Sequence, residues 1–174
     1  RTQIEKDRRF RYAVGFMIEQ EGTGVVERLV EDGTKTRFGV KESWVPGRDL
    51  SDLTRDDAED LLKEREWQFY GYDEVDALTV STKIFDTHIT FSPQTAISEA
   101  QSALRELGFD AAQGGALDRP TRQALEEAAP QDFFDVYIGG LENLVESSYG
   151  GKEALLRRVR QVPYRNVDAS DTKI

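Results

Sequence analysis

Apolar residues recur at three- and four-residue intervals along almost the whole chain, and the stretch that breaks the rhythm, residues 23–40, follows directly on the first such segment. This spacing puts apolar side chains on one face of a helix, which must bury that face against other helices. Phe10, Val14, Met17 and Ile18 predict a first helix over residues 7–21, with Gly22 as its stop. In residues 23–40 the pairs Val25-Val26 and Leu29-Val30 precede Glu31-Asp32-Gly33-Thr34, and Phe38-Gly39-Val40 follows. Asp-Gly between two β-prone runs predicts a hairpin.

The helical pattern then resumes. Thr54, with Asp57 three residues on, opens a second helix whose inner face carries Ala58, Leu61 and Leu62. Trp67, Phe69, Tyr70 and Tyr72 cluster near its end, either as core packing or as a surface for stacking sugars. A third helix is expected over residues 75–91. Ser92-Pro93 starts a fourth, with Ser as cap and Pro at the first helical position, and Gly108 ends it. Residues 109–117 read as a loop. Asp118-Arg119-Pro120 and Pro130 each begin a helix, and a last one carries Leu155, Leu156, Val159 and Val162. Gly139-Gly140 lies inside a helical segment and marks a kink or a close helix contact. The tail from Asn166 is polar and expected to be loose.

Composition narrows the chemistry. With no cysteine and the single histidine His88, the usual His and Cys ligands of a catalytic zinc are lacking, a Cys-His nucleophile is impossible, and a Ser-His-Asp triad would have to use His88. His88 itself reads as packing or a cleft wall. Asp and Glu number 33, so a hydrolase built from these residues is best served by paired carboxylates, as in glycosidases. The net charge of -10 argues against a protein that tracks nucleic-acid phosphates. On an anionic polymer it would favour delivery by attachment to something larger, unless it serves only solubility. No stretch has the roughly 20 apolar residues of a membrane span. Residues 1–10 are charged and lack the apolar core of a secretory leader, and the chain opens without Met, as a trimmed protein or part of a longer one would.

The residues also resemble a family. Ile18-Glu19-Gln20-Glu21-Gly22-Thr23, followed by Asp32-Gly33-Thr34-Lys35-Thr36-Arg37-Phe38-Gly39-Val40, resembles the opening of glycoside hydrolase family 108, bacterial and phage muramidases with a Glu-Gly-Gly signature and a Gly-rich hairpin. Leu53-Thr54 with Ala58 and Trp67 is similar to that family's second helix, and Phe85-Asp86-Thr87 to its Phe-Asp motif. Residues 100–125, with Asp118-Arg119-Pro120-Thr121, are similar to its C-terminal segment, usually described as peptidoglycan-binding, and Arg158-Val159 to its final motif. The chain departs at Thr23 and Thr34, where the family has glycine, at Ile89-Thr90-Phe91-Ser92, where it has Val-Asn-x-Gly, and at Ala154-Leu155, where it has Gly-Trp.

The resemblance implies a mainly α, lysozyme-like helical domain with a small β-hairpin after the first helix. It divides the chain into a lobe over residues 1–92 with the catalytic glutamate and hairpin, a helical peptidoglycan-binding-like segment over 93–165 packed on it, and the tail 166–174. It implies cleavage of the β-1,4 bond between N-acetylmuramic acid and N-acetylglucosamine, with no metal or other cofactor. Glu21 falls on the position of the catalytic acid, Glu31 or Asp32 near a hairpin position that would hold or activate water, and Thr36 on the hairpin threonine. Asp before Gly is also a common turn former, and Thr a common strand residue. Phe38, Trp67, Asp86 and Thr90 are the expected substrate-binding residues, with Thr90 standing in for the missing Asn. The implied partner is peptidoglycan, with other phage virion or tail proteins beside it. The implied setting is a virion, or the bacterial cytoplasm with release to the wall. The departures leave a second expectation open, a catalytically reduced lysozyme-like module that binds the wall or serves structurally in a phage tail or secretion machine.

Overall fold

The first helix, α1 (Gln3–Glu21), begins earlier than its apolar stripe. Thr2 accepts the Glu5 N–H through its hydroxyl at 3.2 Å, and the Glu5 carboxylate accepts the Thr2 N–H at 2.8 Å. This reciprocal cap satisfies donors of the first turn, so the charged residues ahead of Asp7 are helical without facing the core. The computed structural model describes residues 1–22, 24 and 26–163, so the tail from Asn166 lies outside the described residues.

Gly22 closes α1 in the left-handed conformation, φ 76°, and turns the chain into a three-stranded antiparallel sheet. Its strands are β1 (Glu27–Arg28), β2 (Lys35–Arg37) and β3 (Val40–Lys41), in that order. The first turn is closed by the Asp32 carboxylate accepting the Thr34 N–H at 2.9 Å. The second is the two-residue turn Phe38-Gly39, both at positive φ, 53° and 81°, as a type I′ hairpin requires. A Cβ on Gly39 would lie 2.9 Å from Ile89 Cγ2 and 3.2 Å from Met17 Cε. The sheet therefore rests directly on α1 and on the third helix.

That third helix, α3 (Leu78–Thr90), is buried along its whole length and packs against α1, α4 (Pro93–Glu106) and α6 (Pro130–Ser148). It starts after a short 3₁₀ turn at Tyr72–Glu74, inside the predicted span. Before it, α2 (Arg55–Leu62) is capped by Thr54 and runs on into a π turn, Lys63–Gln68. Ser92 caps α4, accepting the Thr95 N–H at 3.1 Å, with Pro93 at its first position. α5 (Arg119–Glu127) leads into α6, which passes unbroken through Gly139-Gly140. A Cβ on Gly140 would lie 3.0 Å from the Glu99 carboxylate of α4, so this glycine marks a close helix contact. The chain returns to the core with α7 (Glu153–Val159), which buries Leu155, Leu156 and Val159.

The result is mainly helical with a small sheet directly after the first helix, the lysozyme-like architecture expected from the sequence. Among the described residues, no helix is long and apolar enough to cross a membrane.

Candidate active site

Glu21 is the last residue of α1 and is 7 % exposed. It lines a narrow pocket of about 70 Å³ together with Glu27, Thr36, Thr90, Leu155 and Arg158. Each comes from a different place for a local reason. Glu27 and Thr36 are direct partners in the β1–β2 register, and opposed residues of an antiparallel pair project from the same face. Thr90 ends α3, its hydroxyl donating to the Asp86 carbonyl at 2.7 Å. Leu155 and Arg158 are three residues apart on α7 and so share a helix face.

Arg158 organises the charges. One terminal nitrogen donates to Glu21 Oε1 at 2.7 Å. The other donates to Asp86 Oδ1 at 2.8 Å, and Nε donates to Asp86 Oδ2 at 3.3 Å. The guanidinium fork thus grips Asp86 with two bonds and Glu21 with one, leaving Glu21 Oε2 as the oxygen not held by Arg158. Burial works against the guanidinium charge, but Asp86 and then Glu21 outweigh it and raise the Arg158 pKa above its ordinary value. Among the described residues, Arg158 makes no hydrogen bond to Glu27 and acts on it only through its charge. Burial first, and the neighbouring Glu21 charge second, push the Glu27 carboxyl above the usual range, while Arg158 pulls it down. Two carboxyls with unlike surroundings therefore share one pocket, the arrangement that divides proton donor from charged partner in carboxylate hydrolases.

Of the residues picked out in the sequence, Glu21, Thr36 and Thr90 come together here, and Asp86 stands behind them, 1 % exposed, holding Arg158. The others lie elsewhere. Asp32 is committed to its exposed turn, where the Thr34 contacts lower its carboxyl below the ordinary value. Glu31 accepts the Thr95 hydroxyl at 2.9 Å, at the start of α4 and away from the pocket lining. Phe38 occupies the strained turn with the Arg37 guanidinium 4.8 Å above its ring. Trp67 is fully buried, stacked on Tyr72 at 5.2 Å, with its indole N–H donating to Asp73 at 2.7 Å. Trp67 keeps no ring face for a sugar: it and Tyr72 are core, Tyr70 is half-buried, and Phe69 is 75 % exposed. His88 is core as well: its Nε2 meets Glu66 at 2.7 Å and its Nδ1 meets the Tyr72 hydroxyl at 2.9 Å. Burial lowers the His88 pKa more than Glu66 raises it, so the ring is neutral, donating to Glu66 and accepting from Tyr72.

Glu27 and Arg158 are the functional candidates that sequence reasoning missed. A two-residue strand is too short to show alternation, so nothing marked the face of Glu27. Arg158 lies 137 residues from Glu21, beyond any local pattern. Among the described residues, no group of three or more histidine or carboxylate side chains is placed to hold a metal ion.

Residues 14–91 match the family model of glycosyl hydrolase 108. The matched segment runs from within α1 to just past α3, and it contains Glu21, Glu27, Thr36, Asp86 and Thr90. Arg158 and Leu155 lie outside it, so this pocket is walled in part by a helix beyond the matched segment. Among solved structures, SagA from Brucella abortus is similar with a TM-score of 0.60 and 21% identity, covering 87% of this chain and 91% of that chain. At that identity it is the fold that is shared. No curated protein matches the chain.

Proposed function

We propose that this protein is a lysozyme-type peptidoglycan hydrolase that cleaves the β-1,4 bond between N-acetylmuramic acid and N-acetylglucosamine. The observation that carries the reading is the meeting of Glu21 and Glu27 in one narrow pocket, with two threonines on its walls. A glycosidic oxygen is a poor leaving group and needs a proton as the bond breaks, while a second carboxylate supports the positive charge at the anomeric carbon or activates water. In this reading Glu21, its Oε1 fixed by Arg158, presents Oε2 to the glycosidic oxygen. Glu27 takes the second role that Glu31 or Asp32 was expected to hold, and Thr36 and Thr90 offer hydroxyls to water or sugar. The upward shift of the Glu27 carboxyl favours a second version with the two glutamates exchanged.

The test is lysis of purified sacculi by the native chain, Glu21→Gln and Glu27→Gln, with mass spectrometry of the products. Both variants are expected to lose activity by 10²-fold or more, and the native products to end in reducing muramic acid. On a muramyl glycoside with an activated leaving group, the variant lacking the proton donor recovers and the other does not, which decides between the two versions. A native chain that leaves sacculi intact defeats the enzymatic reading in favour of a wall-binding or structural module. The ion pair that engages Glu21 in the free protein is the observation on that side. The proposed setting is a phage endolysin or a virion-associated enzyme, with residues 93–165 aiding attachment to the wall.

A further inference from the structure

We infer that Lys83 is a positioning residue for the Glu21 carboxyl, acting through Arg158; this rests on the pocket being the catalytic site. Lys83 is fully buried in α3. Its ammonium donates to the backbone carbonyl of Arg158 at 3.3 Å, near the C-terminal end of α7, where the helix dipole favours a cation and the same carbonyl also accepts the Gln161 N–H at 3.1 Å. It also stands three residues before Asp86, on the same side of α3, and is attracted to that carboxylate. Arg158 is thus held twice by α3, at its main chain by Lys83 and at its guanidinium by Asp86. What remains of the guanidinium reaches across to Glu21.

A buried ammonium is costly, and an apolar side chain would fill the same space more favourably. The charge has a use here. It offsets part of the Asp86 charge, so that Asp86 does not draw the guanidinium wholly to itself, and it anchors the segment that carries Arg158. Without it, Arg158 shifts toward Asp86 and releases Glu21 Oε1. The charged groups around Lys83 are Asp86 on its own helix, Arg158 from α7 and, through Arg158, Glu21 from α1. The Tyr137 phenol of α6, pushed up by burial, feels the charges of both Asp86 and Glu99 of α4, whose own carboxyl burial also raises. Burial brings Lys83 down to about 8, opposed by Asp86 and helped by Arg158, so its charge is lost within a range open to assay.

The test is a titration of the full chain from pH 6 to 10, following the Arg158 Nε–H resonance in arginine-labelled protein, assigned with Arg158→Lys, beside the rate of sacculus lysis. In the native chain the resonance is expected to shift or broaden with a midpoint near the Lys83 value, and lysis to fall along the same curve. Lys83→Met is expected to abolish that titration and to slow lysis at pH 7 by about ten- to hundredfold, while Lys83→Arg, which keeps the charge, retains most of the rate. An Arg158 resonance that does not respond to pH in the native chain overturns the proposal. So does a Lys83→Met protein with the native pH profile. If the native chain lyses no sacculi, the reading of the pocket as catalytic fails, while the resonance still decides whether Lys83 governs Arg158.

Discussion

Replacing Arg158 with Met removes the one cation shared by two buried carboxylates, with side chains 8% and 2% exposed for Glu21 and Asp86. Methionine fills much of the same volume, so packing is largely kept and the charge is what changes. Removing one partner of a buried ion pair destabilises a protein by about 3–5 kcal/mol, because the remaining charge stays buried without compensation. For a chain of this length each kcal/mol corresponds to about 2–4 °C in Tm, so Arg158→Met is expected to melt roughly 6–20 °C lower at pH 7. The double variant Asp86→Asn with Arg158→Met removes the more enclosed of the two stranded charges and is expected to regain over half of that loss. It does not regain lysis, since Glu21 is still not oriented. Urea unfolding of the native chain and the two variants measures this directly. A loss below about 1 kcal/mol in the single variant, or no recovery in the double one, refutes the claim that Arg158 neutralises both carboxylates from within the fold.

Gly39→Ala is expected to cost about 2–5 kcal/mol, from the positive φ and from crowding against Ile89 and Met17, seen as a shifted urea midpoint. Trp67→Phe is expected to destabilise by about 1–3 kcal/mol while leaving cosedimentation with sacculi unchanged, and a tenfold drop in binding by a folded variant returns this ring to the substrate. Because burial depresses the His88 pKa, the unfolded chain binds more protons than the native one below the ordinary histidine value of about 6.5, so stability falls as pH drops through that value toward the lowered one. His88→Gln is expected to flatten that part of the Tm–pH curve, and an unchanged slope contradicts a neutral buried ring.

The helices, their caps and the place of the sheet were legible in the sequence because each depends on residues within a few positions of one another. Thr54, Ser92 and Asp118 act on backbone N–H groups three residues on, and Gly22 ends α1 by its own conformational freedom. Glu21 at the end of α1 could be found the same way, with the family likeness to single it out. The rest of the pocket could not. Whether Glu27 faces Glu21 depends on the β1–β2 register, and in strands this short a shift of one residue reverses every side chain. Whether Trp67 meets a sugar or the core depends on Phe10, Tyr72 and Phe85 closing around it. Arg158 becomes part of the site only when α7 folds back against α6 and its guanidinium meets Glu21 of α1 and Asp86 of α3. Electrostatic partners are chosen by distance in space, and a buried charge carries no periodic signal along the chain.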